Sequence, residues 1–180
     1  MCDDFDLAAE PKDAFVSFEE ATHYLEQACV RLEVHHLAYT LVHFAEGTPD
    51  QVSWITTYDP AYMSHYLKYY GHFEDPTLDI AFADDRVVDW NDVLSWDSMW
   101  QELFPVANRY GITKYGVSFP LKDGDFGSLL FSVNVKSNDE DWKLLRDSLV
   151  KKFRPFAAYF HKRVKSLILA RELAEIKFTA

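Results

Sequence analysis

The chain ends in one long amphipathic pattern that runs from Asn138 to about Lys177. Apolar residues recur there at spacings of three or four, which predicts a single helix that we expect to bend at Pro155. A helix with an apolar face must cover that face, so the first part of this helix requires a sheet to pack on. The later part, Val164 to Leu173, could instead pair with a second copy through Val164, Leu167, Ile168 and Leu173.

Two pairs of strands supply such a sheet. Residues Lys114 to Leu121 and Phe126 to Val135 are rich in β-branched and aromatic residues and are joined by a short polar turn, which predicts the middle of the sheet. A second hairpin is predicted from His36 to Phe44 and Val52 to Thr57, with a five-residue turn from Glu46 to Asp50.

Helical signals fill the remaining sequence. The segment Phe18 to Leu32 has helical spacing, with Ser17 as its N-cap and Glu20 completing a capping box. Pro105 is expected to break the interior of a later helix. The other predicted helices run from Pro60 to about Tyr70 before Gly71, from Asp75-Pro76 over a short stretch, from the cap Asp89, and from the cap Ser98 to Tyr110 before Gly111.

The order of these elements predicts the fold class. A helix, two strands, several helices, two strands and a long helix indicate an α/β (α+β) fold, an α-β-α sandwich with a central antiparallel sheet of about five strands and helices on both faces. A chain of 180 residues with 48% apolar content can bury one sizeable core, so one domain is expected.

Composition excludes several classes of function. A formal net charge of -11 argues against extensive contact with nucleic-acid phosphates, so this chain alone is not expected to bind DNA. The two cysteines, Cys2 and Cys29, lie far apart and suggest neither a disulfide framework nor a metal site, and reduced thiols fit the cytoplasm. The start lacks the features of a signal peptide, and no segment approaches the ~20 apolar residues that cross a bilayer.

The richest aromatic segment runs from Trp54 to Trp90. Tyr58, Tyr62 and Tyr66 are spaced by four residues and share one face where the segment is helical. They could line an apolar pocket that also binds carbonyl oxygens, or they could pack a helix on the sheet with their hydroxyls at its rim. Asp75 precedes a proline, so it could be an N-cap or a buried acceptor for an amide N–H.

This region resembles the autoinducer-binding domain of LuxR-type quorum-sensing regulators. The matching residues are Tyr58-Asp59-Pro60-Ala61-Tyr62, Tyr66, Asp75-Pro76, Trp90 and Tyr110-Gly111-Ile112-Thr113-Lys114-Tyr115-Gly116-Val117-Ser118-Phe119-Pro120-Leu121. Their spacings match without gaps from Tyr58 to Trp90, and the similarity extends over about residues 17–165. The set is specific in combination, although each position alone is a weak signal.

The resemblance implies a ligand, an N-acyl-homoserine lactone or an analogue, and no further cofactor or metal. It implies that Asp75 accepts the ligand amide N–H and that Ser132 binds the amide carbonyl. Tyr66 would line the acyl chain near the head group, with Tyr58 as a further pocket tyrosine. Trp90 would pack against the lactone ring.

Two further positions carry expectations from the resemblance. Gly116 matches a family glycine beside the pocket, where a side chain would crowd the cavity. Tyr62 departs from the family, which usually has Trp at this position, donating its indole N–H to the lactone carbonyl. A phenol is also a donor, but from a different place and on a smaller ring, so the change bears on whether the ligand is a lactone.

The resemblance also implies an organisation of the full-length protein. We divide the chain into an N-terminal arm, residues 1–16, the autoinducer-binding domain, residues 17–165, and the end of the long helix with a linker, residues 166–180. The final Phe178-Thr179-Ala180 is similar to the opening of the family's helix-turn-helix domain, which predicts a domain boundary there. The alternative is a natural end after a long helix.

The leading hypothesis is therefore a cytoplasmic binding module rather than an enzyme. Ligand binding would promote folding and homodimerisation, and DNA would be bound only through a C-terminal domain outside this chain. One alternative is a LuxR-type sensor of a non-lactone compound, indicated by Tyr62. The other is an enzyme acting on acylated amides, with Asp75 or a His as base, which lacks a nucleophile-base pair in the sequence.

Overall fold

Five strands form one antiparallel sheet in the computed structural model, which describes residues 14–45, 48–69, 75–123 and 128–178. The strands of this described part lie in the order β2-β1-β5-β4-β3. They are β1 (His36–Ala45), β2 (Thr48–Thr56), β3 (Val88–Asp89), β4 (Gly116–Leu121) and β5 (Ser128–Asn134).

Helices cover both faces of this sheet. One face packs against α1 (Phe18–Leu32) and α6 (Asp139–Phe178), and the other packs against the four helices between the two hairpins. Those four are α2 (Pro60–Tyr69), α3 (Pro76–Asp84), α4 (Trp90–Trp96) and α5 (Ser98–Arg109). The predicted α-β-α sandwich with a central antiparallel sheet is confirmed.

The alternation of side chains along β1 separates two cores. Leu37, Tyr39 and Leu41 point toward α1 and α6, whereas Ala38 and Thr40 point toward α2–α5. The neighbouring β5 has the same alternation, because it pairs with β1 in antiparallel register. The sheet therefore presents a separate set of side chains to each layer, and the second set forms the floor of the site described below.

Aromatic side chains of α6 fill the first core. Phe153, Phe156 and Phe160 are fully buried, and the ring centroids of Phe131 and Phe156 lie 5.8 Å apart. Burying one such side chain stabilises the fold by about 1.5–3 kcal/mol. The long predicted helix is confirmed, and it continues through Pro155, which lies on its exposed side.

The later part of α6 belongs to the same core. Val164 and Ile168 are buried against their own domain, so the prediction that they pair with a second copy is wrong. The side chain of Leu173 lies outside the residues whose side chains are described. The apolar stripe on α6 was predicted correctly, but the core of the domain buries more of it than the sequence indicated.

The first helix begins and ends where the sequence predicts. Ser17 Oγ accepts a hydrogen bond from the Glu20 N–H at 3.1 Å, and Glu20 Oε2 accepts one from the Val16 N–H at 2.7 Å. The capping box thus closes one residue earlier than the usual pattern, on the residue before the N-cap. Asp89 and Asp75 also cap helices as predicted, each accepting from the N–H two residues later.

Several predicted boundaries need correction. The five-residue turn is wrong because Thr48 and Pro49 already pair with β1, and Asp50 lies within β2. Asp97, not Ser98, is the N-cap of α5, and its Oδ1 accepts from the Trp100 N–H at 2.8 Å. Pro105 does not break α5, since the packing of the buried residues around it offsets a cost of about 3 kcal/mol.

Other predictions fall outside the described residues. These are the N-terminal arm up to Asp13 with Cys2, the helix end at Tyr70 and Gly71, and the final Thr179-Ala180. Within the described ranges, every helix falls short of the apolar length that a bilayer crossing requires.

Candidate functional site

A cavity of about 70 Å³ lies between the second face of the sheet and α2–α5. Ala38, Thr40, Leu130 and Ser132 form its floor on β1 and β5. Strand β2, the helices and the segments between them provide the walls, where about half of the residues are aromatic. The cavity is therefore an apolar chamber with a small number of polar groups, which is the usual composition of a small-molecule site.

The three tyrosines form one continuous wall of this cavity. Tyr58 lies just before α2, and Tyr62 and Tyr66 follow on the helix. The ring centroids of Tyr58 and Tyr62 are 5.8 Å apart, and those of Tyr62 and Tyr66 are 6.3 Å apart. Tyr62 is only 5% exposed and Tyr66 9%, so their rings are buried in the wall and not at a solvent-facing rim.

Asp75 serves as a helix cap and as a polar group of the cavity at once. Its Oδ1 accepts from the Thr77 N–H at 2.8 Å and from the Thr77 hydroxyl at 2.7 Å, and these bonds begin α3. Its Oδ2 accepts from the Tyr66 hydroxyl at 2.8 Å. Among the described residues these three donors leave one acceptor position on Oδ2, and Asp75 is one of the residues that line the cavity.

Burial shifts the pKa values of both the Asp75 carboxyl and the Tyr66 phenol. Desolvation raises the pKa of the Asp75 carboxyl above its usual range, while the hydrogen bonds from Thr77 and Tyr66 act in the opposite direction. Desolvation, with the carboxylate of Asp75 beside it, also raises the pKa of the Tyr66 phenol well above its usual value. Tyr66 therefore stays protonated and donates its hydrogen to Asp75.

A chain of hydrogen bonds crosses the floor from Trp90 to Ser132. The indole N–H of Trp90 donates to Ser118 Oγ at 2.8 Å, and Ser118 Oγ lies 2.8 Å from Ser132 Oγ. Ser118 and Ser132 face each other across β4 and β5, which places both hydroxyls on the same side of the sheet. Trp90 and Ser132 line the cavity, while Ser118 is buried behind them.

Gly116 lies behind Trp90 and is not part of the cavity lining. A Cβ atom built at this position would come within 2.3 Å of the Trp90 ring. The glycine therefore allows the indole to lie flat against β4. A side chain here would act on the cavity through Trp90, and not by entering it directly as the sequence suggested.

Several residues of the site were not found by sequence reasoning. Thr40, Trp100 and Ser118 are buried polar or amphipathic side chains of the site. Trp100 lies edge-on to Trp90, with ring centroids 5.7 Å apart, and its indole N–H has no hydrogen-bond partner in the described ranges. The strand alternation that places Ala38 on the cavity face also identifies Thr40, but Trp100 and Ser118 carry no comparable signal.

Other polar clusters lie outside this cavity. On the opposite face of the sheet, the Tyr39 hydroxyl lies 2.8 Å from His161 Nδ1, and His161 Nε2 lies 2.8 Å from Asp123 Oδ2. Asp89 accepts from the Trp142 indole at 3.1 Å and from Arg146 at 3.0 Å, which attaches β3 to α6. The described part of the chain holds no group of three or more potential metal-ligating side chains.

Solved structures of similar fold come from Burkholderia cenocepacia and Escherichia coli. CepR2 of Burkholderia cenocepacia, described as an N-acylhomoserine lactone dependent LuxR family transcription factor, aligns with a TM-score of 0.62 at 18% identity, over 83% of this chain and 88% of that one. Escherichia coli SdiA aligns with a TM-score of 0.57 at 20% identity, over 84% of this chain and 63% of the SdiA chain. SdiA in complex with octanoyl-rac-glycerol aligns with a TM-score of 0.56 at 20% identity, over 84% of this chain and 62% of that one.

At these identities the neighbours show the fold alone, and the chain spans less than two thirds of either SdiA chain. No curated protein matches the sequence. The family model of the autoinducer binding domain matches residues 17–164, most of the chain, and so confirms the resemblance seen in the motifs. The chain therefore belongs to the autoinducer-binding domain family, the N-terminal ligand-binding domain of LuxR-type regulators.

Proposed function

We propose that this domain binds an N-acyl-homoserine lactone in the cavity between the sheet and α2–α5. The observation that supports it most is the position of Asp75, a partly buried carboxylate that lines an aromatic, apolar cavity and, among the described residues, has one acceptor position left. An amide N–H is the donor that suits this position. CepR2, of similar fold, is by its description lactone-dependent, which agrees with the proposal.

Ser132 completes the recognition of the amide. Ser118 Oγ already accepts the Trp90 N–H, so its own hydrogen is available to Ser132. This leaves the Ser132 hydrogen for a ligand carbonyl. Asp75 and Ser132 would thus bind the N–H and the C=O of one amide, while Tyr62 donates to the head group and Trp90 packs against it.

The acyl chain requires more room than the cavity now has. Pockets that enclose drug-sized ligands occupy about 300–1,000 Å³, whereas this cavity measures about 70 Å³. Entry of a ligand must therefore displace wall side chains on α2–α5. Phe104 is placed to do this, because it lines both the cavity and an open groove on the other side of α5.

The ligand would act by stabilising the folded domain. Bound only by the native state, it adds RT ln(1 + [L]/Kd), about 4 kcal/mol at a thousandfold excess over Kd. We propose that this promotes homodimerisation in the cytoplasm, and that a C-terminal domain outside this chain binds DNA. The domain itself would carry out no reaction and bind no cofactor besides the ligand.

Thermal unfolding with increasing N-octanoyl-homoserine lactone tests this proposal. The unfolding temperature should rise with the logarithm of lactone concentration once the site is saturated. Octanoate and free homoserine lactone, each offering half of the ligand, serve as controls and should have little effect. An unfolding temperature that does not move with the lactone would contradict the proposal.

Tyr62 favours a second candidate, a sensor of an acylated compound without a lactone ring. It occupies the position where the family usually has Trp, and it is buried against Tyr58, Tyr66 and Tyr110. SdiA has been solved with octanoyl-rac-glycerol, so a monoacylglycerol is a suitable probe. Stabilisation by 1-octanoyl-glycerol and not by the lactone would favour this candidate.

A further inference from the structure

The cavity floor holds one polar side chain that the motifs of the family do not account for. Thr40 lies on β1, on the same face as Ala38, and its side chain lines the cavity. Only 5% of it is exposed. In the part of the chain that the structure describes, no hydrogen bond engages its hydroxyl, although its backbone pairs with β2 and β5.

A buried hydroxyl without a partner destabilises a folded protein, so it requires a reason. The cross-strand neighbours of Thr40 are Trp54 and Leu130, which also line the cavity. Valine has nearly the same shape and would fill this apolar position without the cost of the hydroxyl. A ligand in the cavity that Thr40 lines could supply the missing hydrogen-bond partner.

The position of Thr40 relative to Ser132 limits which ligand atom it could bind. Ser132 pairs with Ala38, and Thr40 is two residues further along β1. Such diagonal neighbours lie roughly 7–8 Å apart on one face of a sheet. If Ser132 binds the amide carbonyl, as under the proposed function on which this inference rests, Thr40 reaches a point further along the acyl chain.

We propose that Thr40 is a ligand-binding residue whose hydroxyl hydrogen-bonds an oxygen on the acyl chain, close to the amide. A threonine hydroxyl both donates and accepts, so it suits a keto or a hydroxyl group. The ligand class is thus an acyl compound with a second oxygen near its amide. A ligand whose acyl chain carries no second oxygen would leave the Thr40 hydroxyl buried without a partner.

Two lactones that differ only in this oxygen test the proposal, N-octanoyl-homoserine lactone and its 3-oxo form. Wild type should bind the 3-oxo form more tightly, by about three- to tenfold. Thr40→Val should bring this ratio close to one, and Thr40→Ser, which keeps a hydroxyl, should restore most of it. A ratio in Thr40→Val equal to that of wild type would overturn the proposal.

Stability without ligand supplies an independent readout. Thr40→Val removes an unpartnered buried hydroxyl and should raise the unfolding temperature by about 2–4 °C. Thr56→Val is the matched control, because the Thr56 hydroxyl donates to the Leu37 carbonyl and accepts from the Tyr58 N–H, so its loss should lower that temperature. A fall in both variants would mean that Thr40 has a structural partner, and would overturn the proposal.

The two proposals fail differently. If wild type binds neither lactone, the proposed function is wrong and this inference falls with it. If wild type binds both lactones and Thr40→Val leaves their ratio unchanged, only the role of Thr40 is wrong.

Discussion

Asp75 shows how one residue combines two roles that looked like alternatives in the sequence. Its Oδ1 caps α3 through Thr77 and its Oδ2 accepts from Tyr66, while the residue also lines the cavity. The two oxygens of a carboxylate can serve different partners, so a cap does not exclude a ligand contact. Residue types and spacing predicted where this group lies, but they could not predict how its two oxygens are shared.

Asp75→Asn separates the two roles. Asparagine is also a good N-cap, so α3 should keep its start. The variant loses the charged acceptor, whose bond to a ligand amide contributes about 1.5–3 kcal/mol, and lactone affinity should fall roughly ten- to hundredfold. Calorimetric titration measures this, and an unchanged affinity would remove Asp75 from the site.

The same residue predicts a pH dependence. Because burial raises its pKa, the folded state binds this proton more tightly than the unfolded chain does. Its contribution to stability is thus fully present below the ordinary carboxyl pKa and is lost as pH rises through the raised pKa. Asp75→Asn should remove this part of the pH profile of unfolding, and a profile identical to that of wild type would contradict the raised pKa.

Tyr62 carries the prediction about the head group. Tyr62→Phe would leave a ligand carbonyl unpaired in an apolar wall, which should cost about 1–3 kcal/mol, roughly ten- to hundredfold in lactone affinity. Tyr62→Trp should restore or strengthen binding, since the indole supplies the usual donor of the family. If both variants bind the lactone as wild type does, Tyr62 has no part in head-group binding.

At the scale of helices and strands, periodicity predicted the elements well and their ends less well. The helix Phe18–Leu32 and the long α6 follow directly from apolar residues at helical spacing. The short strand β3 was missed because two residues are too few to show the alternation of apolar and polar residues that marks a strand. Its place in the sheet depends on pairing with β4, which is distant in sequence. The continuity of α5 through Pro105 likewise depends on tertiary packing.

The contact between β4 and Trp90 gives a prediction at this scale. Gly116→Ala places a Cβ where the indole now lies, and overpacking of this kind costs typically 1–3 kcal/mol. The unfolding free energy should fall by that amount, and lactone affinity should fall with it. In the double variant Gly116→Ala/Trp90→Ala, the added methyl should lower the unfolding free energy much less, because the indole it contacts is gone. If the losses of the two single variants simply add, the clash lies elsewhere.

At the scale of the whole molecule, the sheet separates a phenylalanine-rich core from the layer that holds the cavity. The phenylalanine-rich core under α1 and α6 is closed without a ligand, while the other layer holds the cavity. The sequence predicted both layers and most of the polar set around the cavity. It could not predict the cavity volume, nor that the Thr40 hydroxyl and the Trp100 indole N–H have no hydrogen-bond partner among the described residues. These features depend on how side chains from seven elements meet.

The proposed homodimer would use residues that the domain core leaves exposed. Leu169 on α6 is 41% exposed, one position beyond the buried Ile168. We expect Leu169→Glu to convert a ligand-bound dimer to monomer in light scattering. Leu67→Glu, at an equally exposed leucine on α2, is the matched control and should remain dimeric. A wild-type chain that stays monomeric with saturating lactone would contradict the dimer.

Isothermal titration of the chain with N-octanoyl-homoserine lactone, carried out in parallel on wild type and Asp75→Asn, tests the central claim most directly. The account predicts saturable binding of one lactone per chain, a negative heat-capacity change from burial of the acyl chain, and a clear loss of affinity in the variant. Wild type that shows no saturable binding, or binding that Asp75→Asn leaves unchanged, would contradict a lactone site built around this carboxylate.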